Sequence, residues 1–357
     1  MTRYKLSVIP ITGIHIGTGD EISPLEYTIV SEENKDIFRR FQPEKILAGF
    51  SEGQKNRLDK LIDNNKIQEI MALFHQHVTE ENCLYECDIS QDEAMEYYDK
   101  INDLRNQLII SEMYRDRGHF QPVIPGSSLK GAIRTAIINQ LSPSGKQYGQ
   151  RDEYYLVKDS LKKDNAFNDP FRSVRITDCP VKGQKIQSIQ RFINFKENRN
   201  NGQDFTDKMR MVMEVIRGKL MGGDSSAEGY LDIDERLNRI QSEIKKWRPS
   251  PVKIDLKMII HACNQFFMKN MEAEHRKFYE NSMYKRLSDI SHTMINWTKE
   301  KIQKKNCCLI RLGRFSHVEN VTEEKYRNPK TKKGYGNTRT LMNKEFPTGW
   351  AILEMEE

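Results

Sequence analysis

The hydrophobic period changes along the chain, and this limits the fold more than any other feature. Met209, Met211, Met213 and Val215 alternate with Lys208, Arg210, Val212 and Glu214, the period-two pattern of a half-buried strand. Elsewhere the repeat is three to four. Ile67, Ile70, Met71 and Phe74 form one helical stripe, Leu129, Ile133, Ala136 and Ile137 a second. Leu237, Ile240, Ile244 and Trp247 form a third, Leu287, Ile290, Met294 and Trp297 a fourth. Strands are expected over 3–11, 172–179, 186–195, 208–217, 307–312 and 349–355. Helices are expected over 43–78, 91–115, 129–140 and 231–304. Ser51 and Gln54 have the spacing of a capping box, and the polar stretch 142–170 reads as a loop.

Strands and helices interleaved in this way fit an α+β protein of two ferredoxin-like (RRM-like) halves with large helical insertions. The first half is expected over 1–180, with its insertion at about 43–115. The second is expected over 181–357, with its insertion at about 225–305 and a glycine-rich basic loop over 311–345. A chain of 357 residues has room for two such units.

Composition bounds the function class. Lys and Arg total 57 against 51 Asp and Glu, a formal charge of +6, which permits a polyanionic partner without demanding one. Mean hydropathy is -0.74. The N-terminal residues have no apolar signal core, and no run reaches the ~20 apolar residues that span a bilayer. The six cysteines form no CxxC pair. A reducing cytoplasm, free thiols and no membrane partner are therefore expected. The sequence has no GxxxxGK[ST], GxSxG or HExxH segment, and no cofactor is called for. His75, His77, Cys83 and Cys87 have zinc-ligand chemistry but no familiar finger spacing, so unligated side chains are the expectation and no metal site is assigned.

Ile124-Pro125-Gly126-Ser127-Ser128-Leu129-Lys130-Gly131-Ala132-Ile133-Arg134 is the sharpest segment. It is a turn leading into a helix, with Ser127 or Ser128 as the expected N-cap. Free N–H groups at a helix start favour an anion. Lys130 and Arg134 lie on one face in the first turns, where they oppose the helix dipole and an anionic partner would offset that cost; a simple capped helix with two solvated bases is the plainer account.

This segment resembles the hallmark of the RAMP superfamily, the repeat-associated proteins of CRISPR systems. His15-Ile16-Gly17-Thr18-Gly19 resembles the family's opening strand-to-loop element. Arg311-Leu312-Gly313-Arg314-Phe315 resembles its late glycine-rich loop, and Phe346-Pro347-Thr348-Gly349-Trp350 leads into a segment like its final strand. Length and motif arrangement look most like the fifth Csm subunits, which cap the backbone filament of type III-A effectors.

The resemblance implies a non-catalytic subunit that binds CRISPR RNA at its 3′ end and supports its maturation and target RNA binding. Implied partners are CRISPR RNA, target RNA, backbone RAMP subunits, the small Csm subunit and recruited cellular nucleases. Implied RNA contacts are His15, Gly17, Gly19, Ser127, Ser128, Lys130 and Arg134 on one side. Arg311, Gly313, Arg314, Lys332, Lys333, Gly334, Gly336 and Arg339 supply the other, with aromatics between them for base stacking. Arg191, beside Phe192, joins this set, although an ordinary exposed strand position is its plainer account.

The rival reading is a RAMP endoribonuclease using His15, whose pKa class suits general acid/base work. Other relatives use a loop aspartate, for which Asp20, Asp178 and Asp224 are available.

Overall fold

The computed structural model describes all residues except 104, 145–152, 164–165, 167, 184–185, 199–201, 207–210, 235–249, 322–323 and 325–337. The chain opens with β1 (Thr2–Pro10), β2 (Gly17–Ile22), β3 (Tyr27–Glu32) and β4 (Lys35–Arg40). Next come α1 (Pro43–Ala48), α2 (Glu52–Asp63), α3 (Ile67–His75), β5 (Tyr85–Ile89), α4 (Gln91–Lys100), β6 (Ile110–Met113) and β7 (Val123–Ile124). The middle holds α5 (Gly126–Leu141), α6 (Glu153–Leu161), β8 (Val174–Ile176), β9 (Cys179–Lys182), β10 (Gln187–Asn198), β11 (Gly202–Thr206), β12 (Val212–Ile216) and β13 (Ser226–Ile233). The last part holds α7 (Leu256–Glu274), α8 (Lys285–Ile302), β14 (Cys307–Arg311), α9 (Val318–Val321), β15 (Thr338–Met342) and β16 (Trp350–Glu356).

These elements make an α+β fold on two sheets. The first sheet runs β14-β16-β1-β13-β9-β7, with β8 also on β13, and all its pairings are antiparallel. In chain order β1, α5, β8 with β9, β13, α7 and β16 give a ferredoxin-like succession, with β1 held between β13 and β16. Tyr4, Leu6 and Val8 alternate along β1 and share one core with Leu129, Ile133 and Ile137 of α5 and Ile259, Phe266 and Phe267 of α7. Each helix turns its apolar stripe to the sheet, so that the strands and both helices share one interior.

The second sheet runs β2-β6-β12-β10-β5-β4-β3, and the far end of β10 also carries β11 and β15. Here the expected organisation changes. Residues 91–115 are not one helix: α4 ends at Lys100, and Ile110 and Met113 are buried in β6, which pairs with β2 and β12. The block 43–115 is therefore not a detachable insertion. Helices α1–α3 close their own small core around Phe41, Phe50 and Phe74, but β5 and β6 are integral to the second sheet. Likewise the helix expected from 231 begins as β13, with Leu231 and Ile233 buried against β1. The stretch 142–170 contains α6. The 237–247 stripe lies outside the described residues. Both sheets draw strands from either side of residue 180, which itself falls within β9. Among the described residues no helix is long and apolar enough to cross a membrane.

Glu274, at the end of α7, anchors the C-terminal strands. Arg311 Nη1 donates to its carboxylate at 2.6 Å and the Tyr279 hydroxyl donates to it at 2.9 Å. Arg339 Nε lies 3.0 Å away in an ionic contact, and Arg339 Nη2 also donates to Glu319 at 2.9 Å. Burial pushes the Glu274 carboxyl up, but Arg311 and Arg339 outweigh it and hold the group at about 2. His317 beside them is pushed down to about 3, by burial first and then by Arg311.

Both depressed values make folding acid-sensitive. The unfolded chain takes up the His317 proton below its ordinary value of 6.5 and the Glu274 proton below 4.5, whereas the folded chain resists both. Stability measured by urea unfolding is expected to fall as pH drops from 6.5 toward 3, and to steepen below 4.5. Glu274→Gln, which leaves the buried Arg311 without its counter-charge and Arg339 with Glu319 alone, is expected to cost about 3–5 kcal/mol at neutral pH and to reduce the lower part of that pH dependence.

Candidate nucleic-acid interface

Three of the four motif segments meet at one seam between the sheets. The loop after β1 bridges to the second sheet through Ile14 and Ile216. Arg314 N–H donates to the His15 carbonyl at 2.8 Å, Leu312 N–H to Gly349 O at 2.8 Å and Gly349 N–H to Gly13 O at 2.9 Å. Gly313 has φ +78°, and a Cβ built there falls on the His15 carbonyl oxygen. Only glycine satisfies both that conformation and that approach. The seam thus draws together chain segments some three hundred residues apart, as the 338-residue separation of the Trp350–Thr12 hydrogen bond illustrates.

His15 is a strut within this seam. Its ring is only 3% exposed, and Nδ1 donates to the Glu214 carbonyl at 2.7 Å. Because a carbonyl only accepts, that bond fixes the neutral Nδ1–H tautomer, and burial lowers the ring's pKa. A Cβ on Gly17 would lie 2.7 Å from Nε2, so the backbone of Gly17 covers the ring's other nitrogen. This placement, with the ring buried and both nitrogens covered, does not favour the acid/base role considered for His15.

The turn-helix motif also departs from expectation. The α5 N-cap is Pro125, not Ser127 or Ser128, and no side chain of its own caps the helix. Instead Asp178 accepts the Gly126 N–H at 2.8 Å, so a protein carboxylate already occupies the anion-favouring position at the helix start. Lys130 Nζ donates to Val174 O at 2.7 Å, and Arg134 makes a fork to Asp169 at 3.1 and 2.8 Å while lying over the Phe171 ring. Ser127 is exposed and Ser128 half-buried.

Most of the other nominated bases are committed inside the protein as well. Arg311 and Arg339 are 2% and 3% exposed and held by Glu274, so neither guanidinium is offered to a phosphate. Arg191 is half-buried and bonded to Glu93 and Glu96. Lys332, Lys333, Gly334 and Gly336 lie outside the described residues. His75 and His77 bond the carbonyls of Pro24 and Leu73, each at 2.7 Å, and Cys83 that of Glu80. Among the described residues no group of His, Cys, Asp and Glu could hold a metal ion.

What faces solvent at the seam is narrower. Gly17, Thr18, Gly19 and Asp20 are exposed along β2, the edge of the second sheet, and Arg314 is exposed beside them over the Phe315 ring. An edge strand with two glycines and an adjacent exposed guanidinium suits a sugar-phosphate backbone that approaches closely.

Sequence reasoning missed Glu214, which is fully buried. It accepts Met113 N–H at 2.7 Å, the Tyr85 hydroxyl at 2.7 Å and Arg115 Nη2 at 2.6 Å. Its place in an alternating strand suggested solvent, but β12 is buried on both faces. The continuous burial of a central strand was the signal available.

The seam glycine carries a direct test. Gly313→Ala is expected to lower stability by several kcal/mol, combining backbone strain of ~1–3 kcal/mol with a collision against the His15 carbonyl. Gly19→Ala has φ +97° but no atom within 4 Å, so it is expected to cost only the strain. Thermal unfolding of the two variants separates the contributions.

Residues 9–337 match the model of the RAMP superfamily. A 213-residue stretch is 27% identical to the CRISPR system Cms protein Csm5 of Streptococcus thermophilus, covering 53% of this chain and 55% of that relative, so the chain matches about half of the relative's length. The fold is similar to a chain in a cryo-EM structure of a Csm–crRNA–target RNA ternary complex of a type III-A CRISPR-Cas system. That match has TM-score 0.66 and 17% identity and covers 98% of this chain and 100% of that one. It is also similar to the crystal structure of T. onnurineus Csm5, with TM-score 0.59 and 18% identity over 97% and 99% of the two chains. With the superfamily match running from the end of β1 to the residue before β15, and three of the four motif segments gathered at one seam, the chain belongs to the RAMP superfamily.

Proposed function

We propose that this chain is a non-catalytic, RNA-binding subunit of a type III-A Csm effector, which caps the backbone filament at the 3′ end of the CRISPR RNA. In that role it supports CRISPR RNA maturation and target RNA binding. Its partners are CRISPR RNA, target RNA, backbone RAMP subunits, the small Csm subunit and recruited nucleases, in a cytoplasmic assembly. The observation that carries this reading is the seam itself, where Gly17–Asp20 and Arg314 are exposed together while most of the other nominated bases are paired internally. Sequence information would come from base pairing, with the protein holding backbone and shape. The likeness to Csm5 and to a chain of a Csm–RNA complex supports the same reading. The buried, tautomer-fixed His15 supports a positioning role over the endoribonuclease alternative.

A tagged chain recovered from its native cell is expected to bring down short CRISPR RNAs together with other RAMP subunits. Recovery of neither overturns the proposal, and cleavage of repeat RNA by the purified chain revives the nuclease reading. Arg314→Ala is expected to weaken binding of single-stranded RNA and to reduce the slope of log affinity against log salt by about 0.7. An unchanged slope would remove Arg314 from the interface.

A further inference from the structure

A cavity of about 530 Å³ opens between the face of the second sheet and the loop 115–122. Tyr85, Arg115, His119, Phe120 and Gln187 are among the residues that line it. The loop starts where the seam ends: Tyr114 N–H donates to the Ile16 carbonyl at 2.7 Å, and Arg115 is the next residue. The exposed β2 edge is paired with β6, and β6 runs on into the loop that walls the cavity.

Two of the lining residues carry a buried donor without a strong acceptor. The Arg115 side chain is 6% exposed, and its Nη atoms are taken by Glu214, Gln187 and the Phe120 carbonyl, but its Nε has no hydrogen-bond partner. Gln187 is 5% exposed; its Oε1 accepts from Arg115 at 3.1 Å, while its Nε2 reaches only the Met113 sulfur at 3.9 Å. A buried donor without an acceptor is costly, and a ligand acceptor removes that cost. Flat surfaces complete the site. The Arg115 guanidinium lies 3.5 Å from the Tyr85 ring centroid, and Phe120 is held at φ +52°, a conformation rare for a bulky residue. His119 is exposed and bonded to Asp116 at its side.

We propose that this cavity receives a single unstacked nucleobase with a carbonyl-bearing edge, such as uracil, from an RNA strand running along the β2 edge. The base oxygens take up the Arg115 Nε–H and Gln187 Nε2–H donors, and Phe120 and His119 supply stacking surface. This inference rests on the RNA-binding reading above and adds a base-binding pocket to its backbone contacts.

The test uses the purified full-length chain and two probes of equal length, an oligouridylate and an abasic ribose-phosphate strand. The wild type is expected to bind the oligouridylate about tenfold more tightly, the scale of one base–aromatic stack. Phe120→Gly, which suits the positive φ, is expected to erase that preference and leave abasic affinity unchanged. As a measurement on the unaltered chain, ultraviolet cross-linking of a 4-thiouridine-labelled oligouridylate is expected to map to Tyr85, His119 or Phe120. Cross-links confined to other segments, or a preference untouched by Phe120→Gly, overturn the pocket while leaving backbone binding intact. Failure of both strands to bind overturns the pocket and the RNA-binding reading together. Cross-links from these residues to a neighbouring protein subunit in the native assembly would reassign the cavity to protein docking.

Discussion

The buried pair of Glu214 and Arg115 is the interaction on which the rest of the structure depends. A carboxylate with no exposed surface is strongly unfavourable unless its lone pairs are satisfied and a counter-charge sits beside it. Glu214 meets both conditions by accepting from β6 through Met113, from β5 through Tyr85, and from Arg115. Its own backbone carbonyl then receives His15, which brings the loop after β1 onto the second sheet. One residue in β12 therefore ties β6 beside it to β5 two strands away, and fixes the orientation of His15 and the wall of the cavity beyond Arg115. Such a network is specific because every member loses its partner if any one moves.

Glu274 does the same work at the other end of the molecule. It gathers Arg311 from β14 and Arg339 from β15, and through Arg339 it reaches Glu319 in α9. The strands flanking the last glycine loop are thereby pinned to α7, and Gly313 can be held against His15. The two buried carboxylates flank the seam, one behind the early loop and one behind the late loop. Between them they make a rigid frame from which Gly17–Asp20 and Arg314 project.

This division of labour explains which arginines remain open to a partner. Arginine and carboxylate match as planar forks, and a half-buried guanidinium takes the nearest carboxylate. Arg134 finds Asp169, Arg191 finds Glu93 and Glu96, and Arg311 finds Glu274, at separations of 35, 98 or 95, and 37 residues. None of these partners is visible from the motif that contains the arginine. Arg314 differs because its backbone, and not its side chain, is consumed by the seam.

The sequence alone determined the elements whose signal is local. The β1 alternation, the capping box at Ser51 and Gln54, the stripe of α5 and the helices α7 and α8 follow from side-chain period and turn chemistry. The four glycine-bearing motifs likewise identified the family, because short, chemically unusual segments survive in the sequence as written. Tertiary structure decided what depends on partners distant in the chain. It made β6 and β13 strands where the local pattern suggested helix, since each is stabilised by ladder bonds to strands far away. It buried Glu214 on what looked like a polar face, placed Asp178 where a phosphate was expected, and closed Gly17 over His15. Residue type specifies the chemistry available at a position. Whether that chemistry faces solvent or a buried counter-charge is settled only when distant segments pack together.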